Sequence, residues 1–426
     1  PGERSIADRA VDALARAGDL ARRRVESRAA ADLYARALAL AGPEDRWDGR
    51  EAWIVSMLGE TLYWLGEFDE AEARFRKALA LADGDDRVTA HSARFLADIT
   101  TTIRGDDHLA SALFDRSIQA ARRAGEARTL SRSLLMAAWV PYRQGRLDEA
   151  DTLFREALEI ARSRDDPDPW SEVQALVGIA SVISGRGSEE DAIAVGREAL
   201  DVGERADQPF TIAVAHHLLA ASLRRSSLLD EAVEHADAAV VGFRGLGARW
   251  ELAGALADRG TVHRLAGRIE EALVDLREAF GLCRELNERA LVTPTAAELA
   301  RTLGLAGDLT AARAVLDDPF SRLAEQEPAA GTSLLLAEAA IALAEHDREV
   351  ALVKSIAALE RTSSDPIVPN ERAAVVWWTG SLFGAEAIGG PEALGSARDT
   401  LERNGWRQAL GEPELLSAGR TAERGG

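Results

Sequence analysis

The stretch LGEFDEAEARFRKALALA at residues 65–82 returns as QGRLDEADTLFREALEIA at residues 144–161. Halfway between them, residues 104–121 read RGDDHLASALFDRSIQAA. All three share a Gly, a four-residue turn, an Ala, an aromatic four positions on, and a small residue three further. These are Gly66, Ala71, Phe75 and Ala78; Gly105, Ala110, Phe114 and Ser117; and Gly145, Ala150, Phe154 and Ala157. The step is 39 and then 40 residues. A fixed period of that size marks a repeat architecture, in which each unit packs on its neighbours. Carried forward, the step reaches Ala192, Ala232, Ala272, Ala312 and Ala351; carried backward, it reaches Ala30, with Tyr34 and Ala37 behind it. The chain reads as about nine or ten copies of one unit.

Residues 51–82 show what one unit contains. Ile54, Leu58, Leu62 and Leu65 recur at three- and four-residue steps, one face of a helix. Gly66 ends that helix, and Asp69 and Glu70 open a second one, where negative charge suits the helix dipole. Ala71, Phe75, Ala78 and Leu79 form the buried stripe of this second helix. Gly59 stands seven residues before the turn, and Gly178, Ala220, Gly260 and Ala300 are its counterparts. A small residue there lets the two helices of a unit cross closely. The expected fold is all-α, an α-solenoid of about 9–10 antiparallel helix pairs. Residues 1–50 are expected to form an N-terminal helical unit or cap, and 51–326 the regular repeats. Residues 327–410 are expected to form degenerate C-terminal repeats and a cap, and 411–426 a flexible tail. SGRGSEED at 184–191 reads as a turn enlarged by two residues, and PAAG at 328–331 and SSDPIVPNE at 363–371 as helix connectors. Because the first residue is Pro rather than Met, the sequence is expected to be a piece of a longer protein.

The pattern of small residue, Gly, acidic turn, Ala, aromatic and Ala resembles the tetratricopeptide repeat, best in GETLYWLGEFDEAEARFRKALALA at 59–82. The resemblance covers nearly the whole chain and is strongest from 51 to 285. It departs from the family in period, about forty residues rather than about 34, and in lacking Pro after most second helices. Longer units of this kind look like the arrays at the C-terminus of STAND-type regulatory ATPases and of bacterial cyclase–ATPase fusions. The opening ARAGDLARRRVESRAAADLYARALAL at 15–40 is similar to the stretch where such arrays leave the ATPase module. The resemblance implies a right-handed superhelix whose concave groove is lined by the first helix of each unit.

Composition narrows the function. The formal net charge is −20 and the pI about 4.9, so a phosphate backbone is repelled and nucleic acid is not an expected partner. Cys283 is the single cysteine, so no intrachain disulfide forms and a cytoplasmic location is expected. No apolar run reaches the roughly 18–20 residues that span a bilayer, so no membrane association is expected. Neither lysine, Lys77 or Lys354, sits in a Gly-x-x-x-x-Gly-Lys frame. The adjacent His216 and His217 point in different directions on a helix and make a poor metal pair. No nucleophile–base pair is evident. No catalytic residue, cofactor or metal is expected, and any catalysis is expected in a domain outside this piece.

The groove is where information sits. Anchored on the turn Gly, the inward positions are Trp53, Glu60, Tyr63 and Trp64; Arg132, Trp139, Tyr142 and Arg143; Glu172; His216, Arg224 and Arg225; Thr261 and Arg264; Arg301; and Trp377. For so acidic a chain the set is rich in Arg and aromatics, the residue types that anchor binding surfaces. The same residues also have a structural reading. Tyr63, Trp64 and Tyr142 close their first helices, where this repeat packs an aromatic between units, and Arg224 and Arg225 can answer acidic neighbours. Pro141, inside a helical pattern beside Trp139 and Tyr142, removes a backbone hydrogen bond there. The expected function is a non-enzymatic protein- or peptide-binding scaffold, the sensor or interaction arm of a larger bacterial signalling or regulatory protein. The alternative is a receptor domain for a small anionic or sugar-like effector; self-association through the array is a third reading.

Overall fold

The computed structural model describes residues 6–24, 27–40, 50–163, 167–364 and 369–413. Among them every regular element is helical, and the helices from Ile6 to Arg403 follow one another as antiparallel pairs. The chain divides into two compact units: residues 1–140 with 156–167, and residues 141–155 with 168–426.

Unit 1 contains α1 (Ile6–Arg23), α2 (Ser27–Leu40), α3 (Arg50–Trp64), α4 (Phe68–Leu81), α5 (Asp86–Thr102) and α6 (Asp107–Ala124). It also takes most of α7 (Ala127–Arg143) and the end of α8 (Leu147–Arg162). Unit 2 contains α9 (Pro169–Arg186), α10 (Glu189–Arg205), α11 (Pro209–Arg225), α12 (Leu229–Leu246), α13 (Arg249–Leu265), α14 (Ile269–Leu286) and α15 (Arg289–Leu305). It continues with α16 (Leu309–Asp317), α17 (Pro328–Ala344), α18 (Arg348–Ser364), α19 (Pro369–Phe383) and α20 (Pro391–Arg403), and ends in a short helix over 407–413.

The repeat phase is visible as burial. Ala30, Ala71, Ala110, Ala150, Ala192, Ala232, Ala272, Ala312 and Ala351 are all 0 % exposed. Each sits one turn into a second helix, where a larger side chain would push the pair apart. A glycine opposite deepens the fit. A Cβ on Gly18 would come within 2.8 Å of Tyr34, one on Gly59 within 2.8 Å of Phe75, and one on Gly260 within 2.6 Å of Leu276. In all three cases the two helices belong to one pair. Gly178 differs, because its missing Cβ makes room for Phe154 of the preceding pair. In its own pair the aromatic position is Gly196, which receives Leu219 from the pair that follows. The small residue therefore serves contact between pairs here, not only within one.

Left-handed residues close the helices. Gly247 (φ 66°) follows α12, and Ala248 donates its amide to the Phe243 carbonyl at 3.0 Å. Asn287 (φ 52°) does the same after α14 without being glycine. The expected enlarged turn at 184–191 is instead an extension of α9 through Arg186, closed by Gly187 (φ 98°). PAAG at 328–331 is not a connector but the first turn of α17, with Pro at its start. Of SSDPIVPNE, residues 365–368 lie outside the described residues. The period falters at α16, nine residues long, because Pro319 ends it and a 3₁₀ turn (Pro319–Arg322) follows. The segment expected to be a tail from 411 is helical through Pro413, and 414–426 lie outside the described residues.

Two glycine substitutions should have opposite effects. Gly260→Ala places a Cβ against Leu276 and 3.2 Å from the Ala272 carbonyl, and is expected to cost about 1–3 kcal/mol. Gly281→Ala, in α14 with open space around it, is expected to stabilise by about 0.4–1 kcal/mol. Thermal or urea melts of the two variants, read against the parent, check both signs.

Candidate functional site

The first helices of successive pairs lie side by side, α3 beside α5 in unit 1, and α9, α11, α13 and α15 in order in unit 2. The polar side chains expected at the groove stand on the odd-numbered helices.

In unit 1 these helices carry a hydrogen-bonded network. Arg22 Nη1 on α1 donates to Glu60 on α3 at 3.3 Å, and His91 Nε2 on α5 lies 3.2 Å from the same carboxylate. His91 Nδ1 is 2.8 Å from Ser56 Oγ, which is 2.7 Å from Ser92 Oγ. Burial pushes the His91 ring below its ordinary value, toward the neutral form. The carboxylate can only accept, so Nε2 carries the proton and Nδ1 accepts from Ser56. Burial also pushes the Glu60 carboxyl up. The His91 hydrogen bond and the charges of His91, Arg22 and Arg94 more than reverse this, to about 2. Trp53 lies 5.3 Å from the His91 ring with the Arg87 guanidinium 4.2 Å above it. Tyr63 donates to Asp98 and meets Phe95 and Trp64 edge-on; Trp64 itself is 62 % exposed.

Arg94 on α5 lies over the Phe95 ring at 3.9 Å, and its buried Nε has no hydrogen-bond partner among the described residues. Burial, and after it the charge of Arg132 on α7, lowers Arg94 to about 10, still cationic at neutral pH. Arg132 and Trp139 are half-buried in unit 1, whereas Tyr142 (half-buried) and Arg143 (exposed) belong to unit 2. Burial raises the Tyr142 hydroxyl, and the charges of Arg225, Glu371 and Glu189 also act on it.

In unit 2 the odd-helix face holds the chain's own C-terminal segment. Arg264 on α13 is 4 % exposed; its Nε donates to Glu298 on α15 at 2.9 Å and its Nη2 to Glu412 at 3.0 Å. Arg301 on α15 donates to Glu298 and, at 3.5 Å, to Glu412. Arg224 on α11 donates to Gln408 at 2.7 Å and reaches Asp258 at 3.5 Å. Arg225 Nε donates at 2.8 Å to Glu189, which also accepts from Trp406 Nε1 at 2.8 Å. Burial alone would raise Glu412 and Asp258. The charges of Arg301 and Arg264 bring Glu412 down to about 2; the hydrogen bond from His217, together with the charge of Arg224, brings Asp258 to about 2. Burial raises Glu371 on α19 to about 6.

The inward set thus divides. Arg224, Arg225, Arg264 and Arg301 gather around residues 406–412. Trp377 joins them from behind, packing on Trp406 and Leu410 and donating to the Leu410 carbonyl at 3.2 Å. His216 turns instead to His235 of α12, at 2.8 Å, while His217 pairs with Asp258 at 2.8 Å. Thr261 is buried and bonds back to the Ala257 carbonyl at 2.9 Å, and Glu172 is half-buried. Sequence reasoning missed Arg94, His91, His217, Asp258, Glu298 and the occupant itself. Asp258 and Glu298 each stand two residues before the small anchors Gly260 and Ala300, so the same register contained them. Cys283 is fully buried beside Ala253 and Val292, and burial pushes its thiol up to about 12. Among the described residues no helix is long and apolar enough to cross a membrane, and no cluster suits a metal ion.

The tetratricopeptide repeat model matches residues 52–82, 131–163 and 252–290. These stretches are tetratricopeptide repeats, and the likeness to solved structures shows an all-helical solenoid fold. No curated protein matches the sequence. Among solved structures, a Rap protein complexed with Competence and Sporulation Factor is 15 % identical, with a TM-score of 0.57 over 87 % of this chain and 100 % of that one. Aspartyl phosphate phosphatase F from Bacillus subtilis is 14 % identical, with a TM-score of 0.52 over 85 % and 96 %. A STAND protein with a tetratricopeptide repeat sensor from Pyrococcus horikoshii is 16 % identical over 83 % of this chain and 52 % of its own, at a TM-score of 0.49. That likeness is too loose to place this chain in such a protein.

Acid should unfold unit 1 through the Glu60 network. Glu60 sits below its unfolded value of 4.5, so its contribution is whole above that pH and is lost as pH falls toward about 2. His91, lowered from 6.5, adds a loss that begins nearer 6.5. Glu60→Gln is expected to cost about 1–3 kcal/mol at neutral pH and to flatten the decline below 4.5. Urea unfolding followed across pH for both proteins checks it.

Proposed function

We propose that the chain is a non-catalytic tetratricopeptide-repeat scaffold that holds an acidic protein or peptide segment on its odd-helix face. In this reading it is the interaction arm of a larger bacterial regulatory protein. The observation that carries the proposal is the occupant of unit 2: that face meets a helical segment through Arg224, Arg264 and Arg301, with Gln408 and Glu412 as the groups received. Arg forks that find carboxylate from their own chain present the same chemistry to a carboxylate from another. Arg94 in unit 1 offers a second cation of this kind, stacked on Phe95 with Arg132 nearby. The surrounding acidic surface, in a chain of net charge −20, turns away most partners by repulsion and leaves the arginines to select. The Rap protein of similar fold was solved in complex with Competence and Sporulation Factor, a precedent for a ligand on such a solenoid.

The test uses two labelled helical peptides on an alanine background, one bearing glutamates along one face and the other lysines at the same places. Fluorescence anisotropy with the whole chain should show the glutamate peptide binding, weakening as salt rises, and the lysine peptide not binding. Arg94→Ala combined with Arg132→Ala should weaken the glutamate peptide by about tenfold. Equal binding of the two peptides, or no change in the double variant, would remove the function proposed.

A further inference from the structure

The C-terminal segment has two sides with different attachments. Its apolar side, Trp406, Ala409 and Leu410, packs on Trp377, Ala373, Ala397 and Leu401 of α19 and α20. Its polar side reaches away from those helices. Gln408 meets Arg224, and Glu412 meets Arg264 and Arg301, across sequence separations of 184, 148 and 111 residues. Between α20 and the segment stands Gly405 (φ 74°), preceded by Asn404, whose amide donates to Asn370 at 2.7 Å. A left-handed glycine is a place where a chain can change direction at little steric cost.

Two features distinguish this contact from a finished core. First, it is incompletely satisfied. The Nε atoms of Arg224 and Arg301 and Glu189 Oε2 are buried without hydrogen-bond partners among the described residues. Buried polar atoms left unpaired are costly, and a better-fitting occupant would recover that cost. Second, its charge balance depends on one residue. Arg224, Arg264 and Arg301 face Asp258, Glu298 and Glu412, three against three. Withdrawal of Glu412 leaves three cations against two anions, one buried positive charge to be met by another carboxylate.

We propose that residues 404–413 are a removable internal occupant of unit 2, a latch that keeps its arginine-lined face closed until an acidic segment of a partner protein displaces Glu412 from Arg264 and Arg301. This rests on the function proposed above and adds its regulation. The latch stays joined to α20 and swings about Gly405, which releases its tip, Gln408 to Glu412, from the arginines. Being part of the same chain, it competes at an effective concentration on the order of millimolar. A partner therefore needs either high affinity or a second attachment, which makes the closed face selective rather than inert.

The test uses the whole chain and two readouts. Backbone hydrogen exchange across 404–413, without ligand, reports latch opening. The probe for competition is a labelled peptide of the chain's own residues 404–413, added in trans. In Glu412→Gln, exchange at 407–413 should rise about tenfold while α11 to α14 keep their protection. The peptide should bind Glu412→Gln about tenfold more tightly than the parent, and Arg264→Ala should abolish its binding. Gln408→Ala should loosen the same segment to a smaller degree. Unchanged exchange in both variants would overturn the latch and leave the peptide-binding function standing. Exchange rising together throughout unit 2 would make the segment a fixed part of the core and overturn it as well. A tip that exchanges freely while the peptide binds neither protein would remove both the latch and the function on which it rests.

Discussion

The structure depends on close approach at one position per repeat. Nine alanines, spaced by about forty residues from Ala30 to Ala351, are fully excluded from solvent. Alanine forms helix readily and loses no side-chain entropy, so the position combines propensity with tight packing. The constraint propagates. Once the second helix is fixed against the first, the rotation of the first helix is fixed too, and with it the residues that reach the odd-helix face. Where the aromatic four residues later is missing, as at Gly196, the neighbouring pair supplies the volume with Leu219. The array tolerates changes in which side chain fills the space, but not in the space itself.

Electrostatics acts differently on the two faces. On the second helices an exposed series links successive pairs: Arg197 with Glu231 at 3.2 Å, Arg244 with Glu278 at 2.6 Å, and Arg284 with Asp318. Exposed pairs of this kind contribute little each, and salt screens them. The odd-helix pairs of unit 2 are buried, and removing one partner there costs more than the pair contributes. This asymmetry explains why Glu412 matters more than its position near the C-terminus suggests.

The sequence was legible where the signal was local and repeated. The period, the helix pairs, the buried alanines and the close fit at Gly59 and Gly260 all follow from residues a few turns apart. The register of the inner face followed less completely. His216 and His217 differ by about 100° around the helix, and the inward one is His217, on the same side as Arg224. Acids at the same register, Asp258 and Glu298, resemble any solvated carboxylate until their partners are known. The occupant was not legible at all. Residues 404–413 meet α10, α11, α13 and α15 across more than a hundred residues of chain, and no periodicity connects a single terminal segment to the repeats it covers.

The central claim is that Arg264 and Glu412 are energetically coupled, not merely adjacent. A double-mutant cycle on unfolding free energy, with Arg264→Ala, Glu412→Ala and the double variant, measures this directly. The account predicts a coupling above about 1 kcal/mol, as for buried charged pairs within one network. Additivity within about 0.3–0.5 kcal/mol would contradict it, because the segment would then rest on its apolar side alone.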